Sequence, residues 1–284
     1  MRVLNTVEAV RSAVKNARRN GGEVGLVPTM GFLHDGHLSL MKRAKIENDL
    51  MIVSIFVNPT QFGPNEDLAS YPRDLDRDLA LCESVGVDII FAPSVLEMYP
   101  EGYSTYVDAE GSITKTLCGA SREGHFKGVT SVVSKLFNII APDRAYFGQK
   151  DAQQVAVIEK MVRDLNFDIE IIPCEIVREA DGLAMSSRNT YLSDVERKEA
   201  LVLSQSLQIV KQAIETGERD AAKLIDQMRA HILTAPSAVV DYIQIVNAKT
   251  LEDIDTLTGD VLIALAVKIG KTRLIDNARL TVEL

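Results

Sequence analysis

The stretch Val24-Gly25-Leu26-Val27-Pro28-Thr29-Met30-Gly31-Phe32-Leu33-His34-Asp35-Gly36-His37 reads as a short apolar strand, a turn rich in Pro and Gly, and the entry of a helix near His37. The glycines and the proline mark a backbone that turns sharply or passes close to another group. Two of the four histidines fall three residues apart at this helix entry. A helix N-terminus with its unpaired N–H groups is a prepared anion site. Two imidazoles beside it suit a phosphate chain whose charge grows during reaction. The stretch therefore predicts an ATP-cleaving site.

The flanking sequence repeats the same alternation. Asn5 or Thr6 can cap a helix with Val7, Val10, Val14 and Ala17 at helical spacing, stopped by Gly21-Gly22. A helix over about 37–47 precedes the nearly continuous apolar run Leu50 to Val57, which suits a parallel strand covered on both faces. A helix over about 73–85 and a strand over 87–91 follow. This βαβαβ order is that of a doubly wound, Rossmann-like parallel sheet, with ligands expected beyond the carboxyl ends of its strands. Residues 93–123 show no firm elements. Helices over 128–140 and 152–165 alternate with strands over 145–148 and 169–172. After Val177 the character changes. Ser193-Asp194-Val195-Glu196 is a capping box opening one long helix to about Glu215. A helix over 220–233 and strands over 239–246, 261–267 and, briefly, 274–276 complete a smaller α+β unit. The fold class is thus α/β, with a nucleotide-binding catalytic domain over 1–178 and a C-terminal α+β lid domain over 179–284.

The 284-residue chain, 46% apolar and 25% charged, is long enough for such domains and has a globular composition. Its net charge of −9 argues against general nucleic-acid binding, which needs a basic face. Cys82, Cys118 and Cys174 form neither a zinc spacing nor a disulfide framework, so a reducing cytoplasm is expected. No stretch approaches the roughly 18–20 apolar residues that span a bilayer, so no membrane partner is expected.

Several residues can carry chemistry. His34 and His37 could be metal ligands, phosphate contacts or ordinary polar residues; no third ligand for zinc lies nearby, so no metal site is expected. Lys150, after Gly148 at the carboxyl end of a strand, is a surface lysine or a phosphate contact. Ser186-Ser187-Arg188 offers two hydroxyls and a fixed positive charge that can hold a phosphate bidentately, in a turn able to close as a lid. Asn58, Gln61 and Gln154 can hold a hydroxyl or carboxylate without a full charge. Tyr71, Arg122, His125 and Lys127 could line the same cleft. His231 lies mid-helix and reads as structural.

Six ordered segments carry a family resemblance over essentially the whole length: Pro28 to His37, Phe56 to Gly63, Tyr71-Pro72-Arg73, Gly124-His125-Phe126, Tyr146 to Gln154 and Met185 to Asn189. On them the chain resembles the pantoate–β-alanine ligases, members of the wider His-x-Gly-His nucleotidyltransferase superfamily. Gln149 departs from the acidic or basic residue that family members often carry.

The resemblance implies attack of the (R)-pantoate carboxylate on the α-phosphorus of ATP, with Mg2+ present, to give pantoyl adenylate and pyrophosphate. The amine of β-alanine then releases pantothenate and AMP. It further implies that His37, His34, Lys150 and Arg188 act at the reacting phosphates. Met30, Gly31, Phe32, Leu33, His34, Asp35, Gly36, His37, Gly148, Gln149, Lys150, Asp151, Val177, Met185, Ser186, Ser187 and Arg188 would surround ATP. Gln61 and Gln154, with Asn58, Tyr71 and His125, would form the pantoate pocket. The family also implies a homodimer through the N-terminal domain. The competing expectations are a related nucleotidyltransferase acting on a phosphate acceptor and a nucleotide-binding module without turnover.

Overall fold

The structure, a computed structural model, describes residues 1–64 and 66–283. Along the chain run β1 (Arg2–Leu4), α1 (Val7–Arg19), β2 (Val24–Thr29), α2 (Asp35–Glu47), β3 (Leu50–Ile55), α3 (Leu75–Ser84) and β4 (Ile89–Phe91). Next come α4 (Val95–Met98), α5 (Leu117–Ser121), α6 (His125–Ile140), β5 (Arg144–Gly148), α7 (Ala152–Asp164) and β6 (Glu170–Cys174). The remainder forms α8 (Asp194–Glu199), α9 (Val202–Glu215), α10 (Ala221–Ile232), β7 (Ala238–Asn247), β8 (Gly259–Ile269) and β9 (Thr272–Val282). The chain divides into two units, and the division is not one cut in sequence. The first unit holds residues 1–109, 122–149 and 157–175; the second holds 110–121, 150–156 and the chain from 176 onward.

In the first unit six strands pair in the order β1-β4-β3-β2-β5-β6, every pair parallel. The apolar runs predict this, because a strand with helices over both faces has no solvent side to alternate toward. Leu26, Val27, Ile52, Val53 and Ile90 are fully buried. Helix α2 buries Leu38, Met41 and Ala44 at steps of three, and α1, capped by Thr6, buries Val10, Ala13 and Val14. The strand order runs outward from β2 through β3 to β4 on one side and through β5 to β6 on the other. The switch point therefore lies between β2 and β5, where ligands bind open α/β sheets beyond the strands' carboxyl ends.

The second unit packs α9 and α10 on the antiparallel sheet β7-β8-β9. Leu203, Leu207 and Val210 of α9 and Leu224 and Met228 of α10 join Ile263, Leu265 and Val267 of β8 in one core.

Several local features of the structure differ from the sequence reading or lie outside it, among them α4 and α5 within 93–123. β1 is a three-residue edge strand, too short to show a period. Helix α2 opens at Asp35, two residues before His37, because His34 is its N-cap. The helix after Ser193 breaks at Ala200–Leu201: α8 buries nothing and is set by its capping box, whereas α9 is oriented by its core stripe. β9 runs eleven residues, paired along all of β8, although Asp276 and Asn277 disguise its apolar pattern. His231 sits in the last turn of α10, where its Nε2 lies 3.2 Å from Gln205 Oε1.

Candidate active site

The turn after β2 is held by its own backbone and by one buried carboxylate. Thr29 Oγ1 donates to Ser54 O at 2.7 Å and accepts the Gly31 N–H at 3.2 Å, tying the end of β2 to β3. Gly31 and Phe32 then both take positive φ, +81° and +47°. For Phe32 this conformation costs about 1–2 kcal/mol, so something must hold it. That group is Asp78 on α3. Its two oxygens accept the N–H groups of Phe32 and Leu33, each at 2.7 Å. A Cβ at position 31 would stand 2.9 Å from Asp78 Oδ2, so the same contact requires glycine. The neighbouring Arg77 donates to Leu33 O at 2.8 Å and lies 5.0 Å from the centre of the Phe32 ring. Burial pushes the Asp78 carboxyl above its ordinary value, and the two backbone N–H groups pull it part of the way back.

The two histidines form the cap of α2 itself. His34 Nδ1 accepts the Gly36 N–H at 3.2 Å, and His37 Nδ1 accepts the His34 N–H at 3.3 Å. Their rings stand 4.1 Å apart. Because each Nδ1 is an acceptor, the neutral rings carry their proton on Nε2. The two imidazole N–H groups thus stand beside a helix N-terminus, an arrangement suited to phosphate oxygens. Asp35, exposed in the first turn, favours the helix dipole at the same end.

The turn Pro59–Gln61 supplies the second cluster of the first unit. Asn58, fully buried, caps it and acts as a hub: its Nδ2 donates to Gln61 Oε1 at 3.0 Å and Gly128 O at 3.1 Å, and its Oδ1 accepts Tyr99 Oη at 2.7 Å. Burial pushes the Tyr99 phenol up to about 12, so it remains a donor at neutral pH. Gln61 Nε2 lies 3.3 Å from Met30 Sδ, which brings the amide against the turn after β2. His125 Nδ1 lies 2.8 Å from Gln61 O, and Arg122 Nη1 lies 3.0 Å from His125 Nε2. Since Arg only donates, His125 Nε2 accepts and its Nδ1–H donates to Gln61 O. Arg122 in turn forks onto Glu66 at 2.6 and 2.7 Å. Gly128 lets α6 press on this turn, because a Cβ there would stand 2.3 Å from Thr60 O. Tyr71, buried, packs edge-on to Phe62 with ring centres 5.8 Å apart. Gly148, at the carboxyl end of β5, and Gln149 complete the predicted residues of this unit.

Lys150, Asp151, Gln154, Val177 and Met185 to Arg188 belong to the second unit. Lys150 Nζ lies 3.7 Å from Asp151, and Gln154 is half-buried in the first turn of α7. Beside it the buried Gln153 ties α5 and the segment before it, accepting the Cys118 N–H and donating to Ile113 O and Thr116 O at 2.8–2.9 Å. Met185 N donates to Val177 O at 3.0 Å, so these two predicted residues are paired across one hairpin. Ser186 caps the turn Ser187–Tyr191 by accepting the Arg188 N–H.

Among the described residues no group of three His, Cys, Asp or Glu side chains could hold a metal ion, and no helix is long and apolar enough to cross a membrane. Sequence reasoning missed Asp78 and Arg77. The signal was an acidic residue on the buried side of α3, one turn before the buried Cys82.

The profile of the family described as Pantoate-beta-alanine ligase matches residues 2–279. The chain is 60% identical over 277 residues to a pantothenate synthetase of Acetivibrio thermocellus, covering 98% of each chain. It is similar to the crystal structure of pantothenate synthetase from Thermus thermophilus, with a TM-score of 0.94, 45% identity, and 98% and 99% of the two chains covered. It is also similar to the pantoate-beta-alanine ligase of Francisella tularensis complexed with beta-gamma ATP and beta-alanine, with a TM-score of 0.80, 37% identity, and 98% and 97% covered.

Proposed function

Because the chain belongs to the pantoate–β-alanine ligase family, and is accordingly a ligase that joins pantoate and β-alanine through a carbon–nitrogen bond, we propose that it does so in two half-reactions with the residues described above. A carboxylate is a poor acyl donor, because an amine attacking it would have to expel oxide. Adenylation removes that obstacle. The pantoate carboxylate attacks the α-phosphorus of ATP, the Pα–O bond to the β-phosphate breaks, and pyrophosphate leaves. The amine of β-alanine then attacks the acyl carbon, the bond to the AMP oxygen breaks, and the nitrogen loses a proton.

The observation that carries this reading is that His34 Nδ1 and His37 Nδ1 each accept a backbone N–H at the switch point of the sheet, which puts the proton of the neutral rings on Nε2. Donors prepared in this way can meet the charge that develops on the leaving pyrophosphate without reorganising. Met30 to His37, Gly148 and Gln149 serve the nucleotide, as do Lys150, Asp151, Val177 and Met185 to Arg188. Lys150 and Arg188 neutralise phosphate charge, because phosphoryl transfer depends chiefly on positioning and electrostatics. Gln61, Gln154 and Asn58 serve to orient pantoate, and Tyr71 and His125 are assigned to the same substrate. The Francisella tularensis ligase, complexed with an ATP compound and β-alanine, supports ATP as co-substrate. Mg2+ would be brought in with ATP, where it would offset the charge of the phosphates.

The same reading has residues 179–284 act as a lid, the molecule as a homodimer through its N-terminal unit, and the site of action as the cytoplasm. Three buried free thiols accord with a reducing compartment. Light scattering on the purified protein tests the dimer. Isotope exchange between pyrophosphate and ATP tests the chemistry: it is expected to require pantoate and to stop with EDTA, and AMP is expected to accumulate on adding β-alanine. Exchange independent of pantoate overturns the reading.

A further inference from the structure

Asp276 and Asn277 sit side by side in β9, both buried, between the apolar positions Leu274 and Ala278. Buried polar side chains weaken a strand unless each finds partners, and apolar residues of similar size would pack there at least as well. These two are satisfied by two other segments. Asp276 takes the Arg178 guanidinium bidentately, at 2.7 and 2.9 Å, and its Oδ1 also accepts the Asn277 N–H at 2.8 Å. Arg178 lies at the base of the hairpin that ends at Ser186. It donates to Gly182 O at 3.0 Å, while Glu179 N–Leu183 O and Met185 N–Val177 O close the hairpin at 2.8 and 3.0 Å. Asn277 Nδ2 donates to the carbonyl of Lys150 at 2.9 Å. One dipeptide thus anchors the backbone of Lys150 and the hairpin that leads into Ser186-Ser187-Arg188.

We infer that Asp276 and Asn277 are positioning residues for the adenylation half-reaction, holding Lys150 and the turn that carries Arg188 in a fixed mutual register. The inference rests on the proposed roles of Lys150 and Arg188. Neither anchor needs to touch a substrate. A fork-to-fork ion pair and an amide-to-carbonyl bond tie β9 to the hairpin before Ser186 and to the single turn that holds Lys150 between β5 and α7. Because phosphate contacts act by placement, an ångström of drift in either segment lowers the rate steeply.

The experiment compares pyrophosphate–ATP exchange in the full chain for wild type, Asn277→Ala, Asp276→Asn, Lys150→Ala and the Asn277→Ala/Lys150→Ala double variant, with thermal unfolding alongside. Asn277→Ala is expected to lower kcat/KM for ATP about tenfold to a hundredfold, with the KM for pantoate unchanged. In the Lys150→Ala background the same change is expected to cost less than about twofold more, because a residue acting through Lys150 has nothing left to position. A general loss of structure would instead be additive and would raise both KM values. Should Asp276→Asn fail to fold, the Asn277 arm decides alone. Unaltered exchange in Asn277→Ala, or a full further loss in the double variant, overturns the inference and leaves the proposed function standing. Wild-type exchange in Lys150→Ala overturns the reading of Lys150, and this inference with it.

Discussion

The buried carboxylate of Asp78 lies 2.7 Å from the backbone nitrogen of Phe32, a residue held at a φ of +47°. The turn between β2 and α2 is therefore not self-supporting. A side chain from α3, more than forty residues further along, holds the conformation that lets His34 and His37 cap the helix.

Replacing Asp78 by Ala is expected to loosen that turn. Two N–H groups, the buried one of Leu33 and the half-buried one of Phe32, would lose their acceptor, at about 1–3 kcal/mol for a buried group left unpaired. Pyrophosphate–ATP exchange is expected to fall by more than the loss of fold alone explains, in protein still folded at the assay temperature. The midpoint of urea unfolding and the exchange rate of the same preparation check both parts. Exchange at the wild-type rate would show that the turn keeps its shape without Asp78.

His37→Ala separates capping from chemistry. The substitution removes one cap hydrogen bond and is expected to cost about 1 kcal/mol of stability. Exchange is expected to drop by about a hundredfold to a thousandfold, the usual scale for losing one charge-stabilising donor. Near-normal exchange in a folded variant would remove His37 from the mechanism.

The architecture was legible because its signals are local. Leu50 to Ile55 is apolar but for Ser54, and Pro28 to His37 combines turn residues with the two imidazoles. What stayed hidden depends on distant partners. Asp78 is one acid among several in an amphipathic helix until α3 is laid against the turn after β2. Asp276 and Asn277 break the apolar pattern of β9, so the strand read as three residues rather than eleven. Asn58 and Gln61 were picked out as polar loop residues, but nothing in their spacing announced that both are buried and bonded to each other. Burial of a polar residue is set by tertiary packing, and periodicity cannot register it when the residue sits in a turn.

The ion pair between Glu66 and Arg122 makes a pH prediction. Burial alone would push the Glu66 carboxyl up, but the hydrogen bonds and charge of Arg122 outweigh it and hold the group below its ordinary value. A depressed carboxylate contributes stability that is present above its unfolded value and lost as pH falls through the folded one. Unfolding of the wild type is therefore expected to be more acid-sensitive in that window than unfolding of Glu66→Gln. Melting temperatures measured from neutral pH downward check this, and parallel curves for the two proteins would count against the pair.

Gly128 allows the most direct test of the proposed pantoate pocket, because its variant acts on Gln61 and Asn58 without removing either. The Cβ of Gly128→Ala would stand 2.3 Å from Thr60 O and 2.6 Å from Gln61 Cα, both backbone atoms of the turn rather than yielding side-chain tips. The turn must therefore move away from α6, stretching the Asn58 Nδ2 bond to Gly128 O and shifting the Gln61 amide. Overpacking of this kind costs about 1–3 kcal/mol of stability. The KM for pantoate is expected to rise about tenfold or more, as it would for a displaced binding group, while the KM for ATP changes little. Gln61→Ala is expected to raise the same constant with a smaller loss of stability, since it leaves the backbone in place. If Gly128→Ala unfolds early yet retains the wild-type KM for pantoate, the turn is structural only, and the assignment of Gln61 to pantoate falls with it.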